Sequence, residues 1–73
     1  MHNIPSIPTD WIKHSDIKVQ EGCNPTCTVL RPWNEVTPFV VCRAYAVDGV
    51  WNFESGNYCF SRETAEQSFA ARS

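Results

Sequence analysis

Long hydrophobic runs are missing from this chain of 73 residues. None approaches the roughly 20 apolar residues that a membrane-spanning helix needs. The opening stretch, MHNIPSIPTDWIKH, carries two prolines and an aspartate where a secretory leader has an apolar core. The expectation is a cytoplasmic protein with reduced thiols. Runs of like charge are missing too. Residues 1–36 hold three bases against four acids, and residues 37–73 repeat that balance, which makes the net charge −2. A phosphate-driven nucleic-acid binder would need a basic stripe, so direct nucleic-acid binding is not expected. Glycine is scarce: Gly22, Gly49 and Gly56 stand alone, and no glycine-rich phosphate loop exists. The only histidines are His2 and His14, and no Ser or Cys is spaced to complete a catalytic triad with them. Nor is there an internal repeat or a low-complexity segment. A single domain over 1–73 is expected, non-enzymatic and without cofactor.

What the chain does have is a clear hairpin. Asp48-Gly49 separates two apolar runs, and a type I′ turn asks for positive φ at both positions, which Asp tolerates and Gly adopts freely. That turn sets Val47 against Val50, Ala46 against Trp51, Tyr45 against Asn52, Ala44 against Phe53 and Arg43 against Glu54. Val40, Cys42, Ala44 and Ala46 then share a face with Trp51 and Phe53, small residues opposite large ones. Arg43 and Glu54 meet on the other face as an ion pair. Ser55-Gly56-Asn57 reads as a second turn and Tyr58-Cys59-Phe60 as a short third strand. In that register Cys59 joins the core face, while Tyr58 and Phe60 join Arg43, Tyr45 and Asn52.

Around this centre the reading is simpler. Residues 1–8 form an extended arm, since residues before proline avoid the helical region. Ile4 and Ile7 are its anchors. Thr9 or Asp10 caps a short helical turn through Trp11, Ile12 and Lys13. Asp16–Glu21 alternates like a strand, Gly22–Thr26 turns, and Cys27–Arg31 returns. Ser61 caps a final helix over 61–72, with Glu63 in its first turn and an Arg62–Glu66 pair on its surface; Thr64 and Gln67 also fit a capping-box spacing that would start it a turn later. Ala65 and Phe69 share its apolar side, and the Ala44, Ala46, Trp51 and Phe53 face is the expected seat for Phe69. The fold class is therefore α+β: antiparallel strands over 16–60, a β-meander about Asp48-Gly49, and a C-terminal helix on one face.

Cys23, Cys27, Cys42 and Cys59 raise the question of metal. Cys23 and Cys27 are spaced one residue wider than a zinc-knuckle pair, and no second close pair follows. Cys42 and Cys59 lie two strands apart, about 10 Å at ordinary strand spacing, and read as small buried hydrophobes. No metal site is expected. The alternative is a small zinc domain in which Cys23 and Cys27 act with His14 and one more ligand. A Cys27–His14 nucleophile pair is a further alternative. Glu63 and Glu66 read as a solvated helix surface.

Arg43, Tyr45, Asn52, Glu54 and Tyr58 are the candidate partner-binding residues, because Tyr and Arg dominate interface hot spots. Either this face stands open, or the N-terminal segment covers it with Trp11, Ile12, Leu30 or Trp33. The segment from Phe39 to Arg72, with its VDGVW turn and YCFSRETAE strand-to-helix junction, resembles small phage and mobile-element accessory proteins of the anti-CRISPR type. That resemblance covers about half the chain. It implies a phage-encoded stoichiometric inhibitor or adaptor, monomeric or dimeric, acting in the host cytoplasm on a host protein or nucleoprotein complex. Asp48, Glu54, Glu63 and Glu66 would suit a basic channel in such a partner. A single-stranded nucleic-acid binder using the aromatic sheet face is the remaining alternative.

Overall fold

The computed structural model describes residues 4–72. The start of the arm, with His2, lies outside the described residues. Four antiparallel strands form one sheet in chain order: β1 (Lys13–His14), β2 (Thr26–Pro32), β3 (Phe39–Val47) and β4 (Val50–Cys59). One helix, α1 (Arg62–Arg72), packs on it.

The hairpin follows the turn chemistry. Asp48 and Gly49 take φ of 51° and 76°, and the pairs from Val47↔Val50 to Arg43↔Glu54 form as the turn dictates. The next residues correct the sequence reading. Ser55-Gly56-Asn57 is not a turn, and no third meander strand follows it. Instead β4 runs on to Cys59 through a β-bulge, in which Ser55 and Gly56 together oppose Cys42. Ser55 takes a left-handed φ of 55°. A bulge adds one residue to one strand and so inverts the alternation beyond it. Tyr58 consequently pairs with Val40, and Cys59 with Phe39.

Each face of the sheet carries an apolar cluster. The first carries Cys27, Val29, Val40, Cys42 and Ala44 under Trp11, with Ile7, Ile17 and Trp51 packed alongside. The second carries Leu30, Val41 and Cys59 under Ala65 and Phe69 of α1, with Ile12 and Phe39 beside them. The helix therefore sits on the face opposite the Ala44–Trp51 seat expected for it. The bulge explains why. It turns Cys59 onto the second face, and Ser61 caps α1 directly afterwards, so the short connection lays the helix there. The vacated seat is filled by the N-terminal segment: Trp11 meets Trp51 at 5.3 Å between ring centroids, and the Trp51 indole donates to the Ser6 carbonyl at 3.2 Å. Cys42 and Cys59 thus occupy opposite faces.

Three smaller expectations change. Thr9-Asp10 form a turn, closed by Trp11 N–H to Pro8 O at 3.3 Å, and the chain then enters β1, not a helical turn. Of the expected 16–21 strand only a bridge remains, Lys18 with Thr26. Glu66 pairs with Lys13 of β1 at 3.4 Å, not with Arg62. The Ser61 cap forms as expected, its Oγ accepting from Thr64 N–H at 3.2 Å. At the other end of α1, Arg72 Nη1 donates to Val41 O at 2.8 Å and Ser55 O at 2.6 Å. Ser55 O belongs to the bulge and Val41 O adjoins it, where regular pairing lapses, so the helix terminus holds the irregular part of the sheet.

Candidate functional site

The bulge splits the five predicted partner-binding residues. Arg43, Tyr45, Asn52 and Glu54 stay together on the second face, beyond the reach of α1. Arg43 Nη1 lies 3.4 Å from Glu54 Oε1, and Tyr45 stands opposite Asn52. A cleft of about 300 Å³ adjoins Arg43, walled by Thr26, Thr28, Lys18 and Arg72. Arg43 is exposed and Tyr45 half-buried, so the N-terminal segment does not form a layer over them. Tyr58 is the exception: it belongs to the first face.

There Tyr58 helps to form a second cleft, of about 390 Å³, lined by Arg31, Trp33, Val40, Cys42, Phe53, Gly56 and Tyr58, with Glu54 and Ser55 at its rim. Trp11 and its neighbours cover one half of the first face and leave this half open. Each wall has a structural cause. Arg31 and Trp33 follow the alternation of β2 onto the same side. Trp33 is fixed by its N–H to Pro38 O at 2.9 Å, and the loop beyond is tightened by Asn34 Oδ1, which accepts from Val36 N–H at 3.0 Å and Thr37 N–H at 2.8 Å. Phe53 is placed before the bulge and Tyr58 after it. Gly56 is the floor between them: a Cβ there would lie 3.2 Å from Val40 Cγ2 and 3.9 Å from the Tyr58 ring. Trp33 and Tyr58 meet at 5.5 Å between centroids. Trp33 is 49% and Tyr58 55% exposed, and Val36 and Phe60 are more exposed still. Large rings this open are unusual in a domain that could have buried them.

Arg31 is the one cation on the cleft wall, and its guanidinium lies 4.3 Å from the centre of the Phe53 ring. Its only ion pair among the described residues is a long one, Nη2 to Asp10 Oδ2 at 4.0 Å, and its buried Nε has no acceptor.

The cysteines are arranged for packing. Cys27 and Cys42 lie in the first-face core, Cys59 lies in the second, and Cys23 is exposed. Burial, with a smaller contribution from Cys42, pushes the Cys27 thiol up to about 11. Burial also raises the Cys42 thiol, although Arg31 and Arg72 oppose the rise. Neither is prepared to be a thiolate at neutral pH. Among the described residues no three His, Cys, Asp or Glu side chains converge as metal ligands. His14 is engaged elsewhere, with Nδ1 2.9 Å from Ser15 O and its ring edge-on to Trp11.

Sequence reasoning missed Arg31, Trp33 and Phe53 as site residues. The spacing Arg31-x-Trp33 at the end of β2 was the available signal, since alternate residues of an extended segment share a face. Which aromatic of β4 would join them depended on the bulge. Among the described residues, no helix is long and apolar enough to cross a membrane. Comparison with family models, with curated proteins and with solved structures finds no match to this chain.

Proposed function

We propose that this protein is a non-enzymatic protein-binding domain, a stoichiometric inhibitor or adaptor that works by occupying a surface on its partner. The observation that carries this reading is the open half of the first face, where Trp33, Phe53 and Tyr58 surround a cleft while Trp11 and its neighbours cover the other half. Trp, Tyr and Arg are the residue types that anchor interfaces, and rings already held in place lose little entropy on binding. The patch of Arg43, Tyr45, Asn52 and Glu54 is the secondary contact. Its charges are mutually paired, so it contributes orientation more than affinity. The resemblance to small phage-encoded inhibitors of the anti-CRISPR type supports a host protein or nucleoprotein complex as partner. Free cysteines, three of them buried, suit a reducing compartment such as the host cytoplasm. The β4 edge carries the Ser55 bulge, a feature that discourages strand pairing between copies and so favours a monomer as the working species.

The test is affinity capture of a stoichiometric complex from host extract, using wild type and Tyr58→Ser, with thermal melts of both. The reading expects Tyr58→Ser to melt like wild type and lose the complex. A variant that retains the complex, or a wild type that forms no stoichiometric complex, overturns it. A second reading, single-stranded nucleic-acid binding, draws on the same rings, since bases stack on exposed aromatics. Binding of an oligonucleotide that collapses with salt would favour it.

A further inference from the structure

We propose, resting on the protein-binding reading above, that the first-face cleft takes an acidic peptide segment of the partner. An apolar or aromatic side chain of that segment enters between Phe53 and the Trp33–Tyr58 pair, and an adjacent carboxylate meets Arg31. The rings define the apolar half of this ligand. Arg31 defines the other half.

A guanidinium has five N–H donors in a planar fork, and in folded proteins such groups are hydrogen-bonded once removed from water. The Arg31 side chain is only 22% exposed, yet among the described residues no acceptor takes a hydrogen bond from it. The Asp10 carboxylate stands 4.0 Å from Nη2, close enough to attract but too far to bond. The guanidinium carbon lies 4.3 Å from the centre of the Phe53 ring, a cation–π contact that holds the group at the cleft wall. A donor group held in this way is short of an anionic acceptor, and a carboxylate matches it bidentately. Glu54, the acid at the rim, is drawn to Arg43 and does not supply one. The ligand charge is therefore negative at the Arg31 end and absent over the rings.

The experiment is selection of a displayed library of random 12-residue peptides on the purified full-length protein, followed by titration of the best synthetic peptide. Peptides are expected to carry a large apolar residue within a position or two of Asp or Glu. Replacing that acid with its amide should weaken binding about tenfold, the scale of a lost charge-assisted hydrogen-bond pair. Arg31→Gln should weaken the acidic peptide equally and bind the amide peptide no worse than wild type does. Asp10→Asn, which removes a competing carboxylate, should tighten the acidic peptide a few-fold. Because the amide swap is made on the peptide, its result does not depend on how Arg31→Gln folds. Selected peptides without acids, or equal affinity for acid and amide, overturn the proposal while leaving an apolar docking cleft and the protein-binding reading intact. Peptides indifferent to Tyr58→Ser overturn both. Displacement of the peptide by oligo-deoxythymidylate in a salt-sensitive manner overturns the peptide ligand in favour of nucleic acid.

Discussion

Residues 50–54 and 57–59 lie on the same strand, β4, yet opposite rules place their side chains. Before the bulge, odd-numbered residues Trp51 and Phe53 face the first side of the sheet. After it, the even-numbered Tyr58 does, and Cys59 turns to the second. One inserted residue thus decides two things. It sends α1 to the second face, because the chain leaves β4 with its last buried residue pointing there. It also leaves Phe53 and Tyr58 on the same face with Gly56 between them, and so makes the cleft. In a strictly regular hairpin these aromatics would lie on opposite faces.

Deleting Ser55 breaks this comparison most severely. With alternation restored, Cys59 would turn away from Phe69, and α1 could not dock without losing its contact with the sheet. The expected outcome is loss of the cooperative thermal transition. Phe69→Ala is the next largest. It removes the buried ring that joins α1 to Leu30 and Val41, and should cost about 3–4 kcal/mol in urea unfolding. Tyr58→Ser on the open half should cost far less, and that contrast separates the covered face from the exposed one.

Arg72→Met addresses the bulge itself. Val41 O and Ser55 O would lose their donor, with an expected loss of about 1–3 kcal/mol. Alkaline pH probes the covered part of the first face. The folded Cys27 thiol titrates near 11 against 9.0 when unperturbed, so the unfolded chain releases its proton first. The stability that follows is fully present below pH 9 and is lost as pH rises through 11. Denaturant melts over that window should show the fall in wild type and a shallower one in Cys27→Ala. The smallest effect is expected from Ser61→Ala, about 1 kcal/mol from loss of the helix cap.

The legible parts of the fold were those fixed by local chemistry. Asp48-Gly49 determined the hairpin and five cross-strand pairs, and Ser61 marked the helix start. What could not be read depended on how the chain handles Ser55-Gly56-Asn57. A serine, a glycine and an asparagine are turn formers and also bulge formers, and their composition does not distinguish the two outcomes. Packing does: Gly56 lies against Val40, a contact between residues distant in sequence. The candidate site was legible to the same extent. Arg43, Tyr45, Asn52 and Glu54 precede the bulge and stay together, whereas Tyr58 follows it and changes sides. The role of Trp11 is hidden for a related reason, since alternation alone offers its seat to Phe69.

The most direct test is a nuclear Overhauser spectrum of the labelled protein, read at the Tyr58 ring. The account predicts cross-peaks from Tyr58 to the Trp33 indole and the Val40 methyls, with none to Tyr45. Cross-peaks from Tyr58 to Tyr45 or Arg43, without those to Trp33, would show that the chain turns at 55–57 and would contradict the bulge, the helix placement and the cleft together.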